Sequence, residues 1–403
     1  MYKVLDLFSG CGGLSEGFLQ AGFDVSVSVE IDQKACITQQ QNHPETFIIQ
    51  GDLTELTPEL LTSQSGKSQF DLIIGGPPCQ GFSMIGTRLG TSKSFGEFGE
   101  DPRNKLYKEF VKYVRHFQPK MFLMENVPGL YSMHKGSVKE NIEQDFEYDD
   151  PEGNFIGYNV TTDIVRAVEF GVPQNRERVI FLGVRKDLNT SISHPTPIYG
   201  EGSYFTVKDA ISDLPELGVK DGQHCMPFTS KKRSGYLQKL NSNSKKLKRA
   251  NNYKNGYLYN HVSRYQNDRD RELFRILKPF QNLKHLDPDQ IPIRLRKGFN
   301  DFYRKIDFDR PSPTIIAHLH KDGLAFIHPD SKQARSISVR EAARLQSFPD
   351  NFIFPGPLTA MFKQIGNAVP PLLAYHLACH MKDLLKQLGY EELPYQQQLA
   401  FNI

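Results

Sequence analysis

Seven short runs rich in Val, Ile, Leu and Phe recur through the first half of the chain, each bounded by turn residues: Val4 to Phe8, Val25 to Glu30, Thr46 to Gln50, Phe70 to Ile74, Met121 to Glu125, Val160 to Val165 and Val179 to Val184. The pattern predicts strands. Leu14 to Ala21, Gln33 to Asn42 and Asn104 to Phe117 lie between them with helical periodicity. Alternation of this kind predicts an α/β fold, a doubly wound, mostly parallel sheet with helices on both faces. Ligands of such sheets bind beyond the carboxyl ends of the strands.

Five further stretches complete the pattern. Gly81 to Arg103 is a Gly- and Ser-rich loop, longer than a compact domain keeps without a use, and reads as a lid. Glu143 to Glu152 is an acidic run expected to be exposed. From about Asn189 to Arg335 the alternation stops, which marks a second, smaller domain. A helix is predicted over Ser338 to Gln346, with Ser338 and Glu341 forming a capping box, and another from Pro370-Pro371 through about Leu388.

A chain of 403 residues has room for two or three domains and a sizeable core without metal or disulfide staples. No apolar stretch approaches the roughly 20 residues that cross a bilayer, and the N-terminus has no signal-peptide pattern. The expectation is a soluble, cytoplasmic protein with no membrane partner. Cys11, Cys36, Cys79, Cys225 and Cys379 are odd in number and irregularly spaced, so they fit neither a disulfide framework nor a zinc site. Lys231 to Arg310 holds 21 Lys and Arg against 8 Asp and Glu, a net +13 that leaves −10 on the rest of the chain. Such a region is either a solvated surface or a nucleic-acid interface; Tyr236, Tyr253, Tyr257, Tyr259 and Tyr265, interleaved with the bases, favour a folded surface over a tail.

Candidate chemistry gathers at the strand ends. Asp6-Leu7-Phe8-Ser9-Gly10-Cys11-Gly12-Gly13 closes the first strand before a helix, where glycines allow close approach of a ligand, although a tight structural turn needs the same residues. Glu30 ends the second strand and Asp52 follows the third, which suits a nucleoside-containing cofactor. Pro77 and Pro78 fix the backbone just before Cys79, presenting its sulfur to the cleft; the alternative is a buried core cysteine. Glu125 ends the fifth strand. Arg176 and Arg178 share one face of a last strand, for ligand binding or as a surface ladder with Glu177.

Taken together, these residues resemble the cytosine-C5 DNA methyltransferases. The family's motifs stand in order: DLFSGCGG at Asp6 to Gly13, Glu30, Asp52, PPCQGFS at Pro77 to Ser83, ENV at Glu125 to Val127, QNRER at Gln174 to Arg178, REAARLQSFP at Arg340 to Pro349 and GNAVPP at Gly366 to Pro371. The resemblance implies a Rossmann-like S-adenosylmethionine-dependent domain over 1–188 plus 350–403, and a target recognition domain and hinge over 189–349. It implies S-adenosyl-L-methionine as cofactor, held by Phe8, Gly10, Cys11, Gly12, Gly13, Glu30, Ile31, Asp52, Leu53, Pro78, Leu106, Asn367 and Ala368. Cys79 is then the nucleophile that adds to C6 of a flipped cytosine, Glu125 acts at N3 and Arg178 at O2, with Asn126 and Arg176 beside them.

Double-stranded DNA is the implied partner, with Gln80 and Ser83 near the lid hinge and Lys231, Lys232, Arg233, Lys245, Lys246, Lys248 and Arg249 expected on phosphates. Arg294, Arg296 and Lys297 are open between guanine edges and phosphates. His318 and His320, at strand spacing around Leu319, lack a third ligand and are expected to be structural rather than to hold metal. The chain is expected to be a monomer, with a cognate restriction endonuclease as a possible partner. A tRNA substrate is the competing reading, and so is a non-catalytic relative, though the latter is expected to have lost Cys79, Glu125 or Arg178.

Overall fold

The computed structural model describes residues 1–78, 106–229, 234–296 and 303–390, with the backbone alone at 134, 135, 294 and 296. Cys79, Gln80, Ser83, the predicted lid over 81–103, Lys231, Lys232, Arg233 and Lys297 lie outside the described residues, as do the side chains of Arg294 and Arg296. The chain divides into two compact units. Unit 1 comprises Met1–Arg166, Glu177–Thr196 and Ala374–Ile403, and unit 2 Ala167–Arg176 and Pro197–Leu373.

Unit 1 is built on a seven-stranded sheet of order β3-β2-β1-β4-β5-β8-β6. Its strands are β1 (Lys3–Leu7), β2 (Asp24–Glu30), β3 (Phe47–Gln50), β4 (Leu72–Gly75), β5 (Met121–Asn126), β6 (Tyr158–Arg166) and β8 (Glu177–Arg185). β1 to β5 pair in parallel, whereas β8 runs antiparallel to both β5 and β6. The segment between β6 and β8 is shorter than the dozen or more residues of a parallel crossover, so the antiparallel pairing follows from chain length.

The helices of this unit start where their sequence says they should. Asp32 caps α2 (Gln33–Asn42) by accepting from the Lys34 amide, and Thr57 caps α3 (Pro58–Ser65), whose first residue is proline. α1 (Gly13–Gln20) follows the glycine turn. α4 (Leu106–Phe117) buries Tyr107, Phe110, Val111, Tyr113 and Val114, an apolar face at three- and four-residue spacing. Phe110 meets Phe122 of β5 and Phe146 edge-on, and Phe122 stacks on Phe146 at 4.1 Å. Burying each ring contributes about 1.5–3 kcal/mol, so these contacts fix the helix layer to the sheet.

Phe146 belongs to α5 (Ser137–Glu147), into which the acidic run extends. Glu143 to Glu147 is helical, and the helix buries Val138, Ile142 and Phe146. Glu143 is paired with Lys139 at 2.8 Å. As expected, the run is exposed or half-buried apart from Phe146.

Unit 2 holds β7 (Gln174–Asn175) paired in parallel with β11 (Ser312–Pro313), and a separate antiparallel pair of β9 (Gly222–Pro227) and β10 (Tyr257–Val262). Leu273, Phe274, Leu277, Tyr303 and Ile327 belong to its apolar cluster. The predicted capping box is present: Ser338 accepts from the Glu341 amide and Glu341 accepts from the Ser338 amide, opening helix Val339–Leu345. That helix is buried throughout, with Arg340 and Arg344 inside. Arg335 forms a two-pronged pair with Glu341, both contacts 2.7 Å, and Arg340 donates to the carbonyls of Tyr259, Pro349 and Phe352. Burial of these guanidinium groups is tolerable because their donors are matched by carboxylates and carbonyls. Helix Pro371–Gln387 begins at the second proline of Pro370-Pro371, as predicted. Among the described residues no helix is long and apolar enough to cross a membrane.

Candidate active site

The turn after β1 is shaped by backbone conformations that few residues adopt. Phe8 and Gly10 both have φ of 56° and Gly12 has φ of 87°. A Cβ at Gly12 would lie 2.7 Å from the His43 ring, whereas one at Gly10 would project into open space. The two glycines therefore do different work: Gly12 permits packing beneath the turn, and Gly10 leaves room above it.

Glu30, at the end of the neighbouring β2, ties this turn to the next one. Its Oε2 accepts from the Gly10 amide at 2.7 Å and its Oε1 from the Asp32 amide at 2.8 Å. Burial raises its pKa, opposed by these two backbone donors. Gly51 in turn donates to the Glu30 carbonyl, and Asp52 beside it accepts from the Thr54 amide and hydroxyl. Because β1, β2 and β3 are adjacent and parallel, Phe8, Glu30 and Asp52 stand at three successive carboxyl ends. Ile31 is 62% exposed beside Glu30, while Leu53 is buried. Leu106 opens α4 half-buried, and Pro78 is exposed. Cys11 is buried and its thiol is pushed far up by desolvation, which makes it a packing residue of the turn rather than a nucleophile.

A polar layer beneath the turn escaped the sequence reading. Gln39 of α2 donates to the Ser9 hydroxyl and the Gly10 carbonyl, and accepts from Ser28. Glu16 pairs with His43 at 2.9 Å with both side chains fully buried. Asp6 accepts from Ser15, and burial raises its carboxyl to about 7. Three consecutive glutamines, Gln39 to Gln41, give no sequence signal as to which one turns inward.

Glu125 and Arg178 are brought together at the other half of the site. β4 and β5 are neighbours with Gly75 opposite Met124, so Glu125 stands beside Gly76 on the segment that leads to Pro77 and Pro78. A Cβ at Gly76 would be 2.9 Å from Glu125 Oε2. Arg178 Nε lies 2.6 Å from Glu125 Oε1, with side-chain exposures of 12% and 13%. Burial lowers the Arg178 pKa, and Glu125 opposes that shift. Asn126 donates to the Pro77 carbonyl at 3.3 Å, bracing the strand end that precedes Cys79.

Arg176 does not share a strand face with Arg178. It precedes β8, belongs to unit 2, is 1% exposed, and donates to the carbonyls of Ile315 and Ala368. The alternation argument fails because β8 begins only at Glu177. Asn367 and Ala368 also fall in unit 2, where the Ala368 carbonyl accepts from Arg176 and Gln346. His318 and His320 lie on a 3-10 turn, Ala317–His320, rather than a strand, and His320 Nδ1 bonds the Ala317 carbonyl.

Of the basic residues expected on phosphates, Lys245, Lys246 and Lys248 are exposed. Arg249 is half-buried, donates to Asn351 Oδ1 at 3.1 Å and lies over the Phe352 ring. It anchors its segment as well as carrying charge.

Comparison with known proteins identifies the family. The model of the C-5 cytosine-specific DNA methylase family matches residues 2–383. Among curated proteins, the type II methyltransferase M.DdeI of Desulfomicrobium norvegicum is 36% identical over 93% of this chain and 87% of its own. The type II methyltransferase M1.HphI of Haemophilus parahaemolyticus is 37% identical over 93% and 85%. A crystal structure described as that of a DNA modification methyltransferase encoded within an E. coli prophage superposes with a TM-score of 0.73 at 29% identity, covering 96% of this chain and all of the other. The chain thus belongs to the C-5 cytosine-specific DNA methylases and is a DNA cytosine methyltransferase.

Proposed function

We propose that the chain transfers a methyl group from S-adenosyl-L-methionine to C5 of a cytosine flipped out of a specific duplex sequence, as the modification partner of a restriction endonuclease. The observation that carries this reading is the Glu125–Arg178 pair, 2.6 Å apart at the carboxyl end of β5 and next to the strand that leads to Cys79.

The residues of unit 1 fit the cofactor. Glu30 keeps acceptor capacity for ribose hydroxyls after binding two backbone amides, Asp52 keeps its second oxygen, and the open space above Gly10 lies between the strand ends that carry Phe8 and the exposed Ile31. Bound there, the cofactor supplies an electrophilic methyl group. Asn367 and Ala368 are assigned to it on the sequence resemblance alone.

Cytosine C5 is too electron-poor to be methylated directly. Addition of the Cys79 thiolate at C6 forms a C–S bond and shifts the displaced electron pair onto the ring, where Glu125 at N3 and Arg178 at O2 take up the charge. C5, made nucleophilic by that addition, would form the new bond to the methyl group as the methyl's bond to the cofactor sulfur breaks; transfer of the C5 proton to a base and expulsion of the Cys79 thiolate then restore the aromatic ring. Flipping the base costs a few kcal/mol, offset by contacts that include Lys245, Lys246 and Lys248 on phosphates. The target recognition role is assigned to the 189–349 region, and the type II names of the relatives support the restriction-modification setting.

The test is a duplex carrying 5-fluorocytosine at the target, found by sequencing methylated cytosines in DNA from expressing cells. The expected result is a denaturant-resistant protein–DNA adduct that requires S-adenosylmethionine and disappears in Cys79→Ser. An adduct that survived in Cys79→Ser would remove Cys79 from the chemistry, and methylation of tRNA in place of duplex DNA would overturn the substrate.

A further inference from the structure

Gly10 is a residue of the turn after β1 that packing leaves free. A Cβ there would meet no atom within 4 Å, so no neighbour restricts the backbone on the open side assigned to the cofactor. A glycine in that position has more conformational freedom than any other residue. Hydrogen bonds to two side chains take the place of packing. Glu30 Oε2 accepts from the Gly10 amide at 2.7 Å, fixing the peptide before Gly10. Gln39 Nε2 donates to the Gly10 carbonyl at 2.6 Å, fixing the peptide after it.

Gln39 is itself held in one orientation. It is fully buried, its Nε2 also donates to the Ser9 hydroxyl at 2.8 Å, and its Oε1 accepts from the Ser28 hydroxyl at 2.8 Å. Ser9 Oγ donates to the Val29 carbonyl at 3.1 Å, so toward Gln39 it acts as an acceptor. A reversed carboxamide would set its oxygen against the Gly10 carbonyl, two acceptors with no proton between them. The stem is close beneath the turn as well: a Cβ at Gly12 would lie 3.2 Å from Gln39 Cγ. The carboxamide is thus oriented from α2 and β2 before anything occupies the open side.

We propose that Gln39 is a positioning residue that sets the affinity for S-adenosylmethionine. It lies buried beneath the turn, and it supplies in advance the order that binding would otherwise have to impose on Gly10. Through Gly10 it also steadies Glu30, whose remaining acceptor capacity is assigned to the ribose hydroxyls. The proposal rests on the assignment of the cofactor to this turn, and the experiment separates the two.

S-adenosylmethionine is titrated calorimetrically into the full chain, alongside urea unfolding and single-turnover methylation at saturating cofactor. Gln39→Met keeps the stem and removes both donors. Its dissociation constant should rise about tenfold, the equivalent of about 1.4 kcal/mol and the order of the cost of fixing one residue's backbone. The single-turnover rate at saturation should stay that of the wild type. Gln40→Met, on the exposed neighbour, should change neither. Gln39→Glu keeps the size and shape of the side chain but offers at most one of the two donors, so it should also weaken binding, and it answers where Gln39→Met is too unstable to titrate. Wild-type affinity in these Gln39 variants, whatever the loss in urea stability, would make Gln39 a packing residue and overturn the proposal. A slower rate at saturating cofactor with affinity unchanged would overturn it too. A wild-type chain that bound no S-adenosylmethionine would instead overturn the cofactor reading on which it rests.

Discussion

Arg178 and Glu125 sit on antiparallel neighbours, β8 and β5, and meet side by side at 2.6 Å, each nearly closed off from solvent. At that spacing each side chain holds the other in place before any substrate arrives. Preorganised groups of this kind stabilise developing charge without reorganisation at the moment of reaction.

The first prediction follows from that pair. Glu125→Gln removes the charge that keeps Arg178 in place and the proton exchange at N3, and general acid–base catalysis is typically worth about 10²–10⁴-fold. The chemical step should slow by about that factor in single-turnover methylation, with the dissociation constant for S-adenosylmethionine little changed. A variant whose main defect is weak cofactor binding would move Glu125 out of the reaction.

The second prediction separates Gly10 from Gly12. Both have positive φ, so alanine strains either, on the order of 1–3 kcal/mol. At Gly12 the added methyl also collides with His43, so Gly12→Ala should lower urea stability more than Gly10→Ala. At Gly10 the methyl enters the open space assigned to the cofactor, so Gly10→Ala should lose more cofactor affinity per unit of stability lost. Equal ratios in calorimetric titration and urea unfolding would mean that Gly10 serves the turn alone.

Much of unit 1 was legible because its signals are local. Each of the seven predicted strands overlaps an observed one, since apolar runs bounded by turns describe both faces of a covered sheet. Glu30 and Asp52 could be found from their places after strands. The reversal of β8 and the true surroundings of Arg176 could not, because both depend on which segments meet in space rather than on spacing along the chain. The same limit hid Gln39, one of three consecutive glutamines until α2 is packed beneath the turn.

The third prediction concerns acid stability. His328 is buried against Glu341, and burial lowers its pKa to about 4 from 6.5. Below pH 6.5 the unfolded chain takes up a proton that the folded chain refuses until about pH 4. Stability is therefore complete above pH 6.5 and is lost as pH falls through that window, by a few kcal/mol. Glu341, held below the usual carboxylate range by Arg335 and His328 despite its own burial, adds a further loss at lower pH. In His328→Phe the urea midpoint should change less between pH 7 and pH 5 than in the wild type; an equal change would assign the acid limb to other groups.

The last prediction concerns how the chain holds DNA. Lys245, Lys246 and Lys248 are exposed, the first two on the short turn Ser244–Lys246, whereas Arg249 is bound to Asn351 and packed over Phe352. Replacing Lys245 and Lys246 with alanine should thus leave urea stability nearly unchanged, while Arg249→Ala should lower it. If the lysines meet phosphates, each lost contact flattens the dependence of log K on log salt by about 0.9. Target and non-target duplexes should weaken together, because phosphates position the duplex and carry no sequence. The discrimination ratio should hardly move. A salt slope equal to that of the wild type would make this turn an ordinary solvated surface, and the phosphate-binding face would then have to lie among the other bases between Lys231 and Arg310.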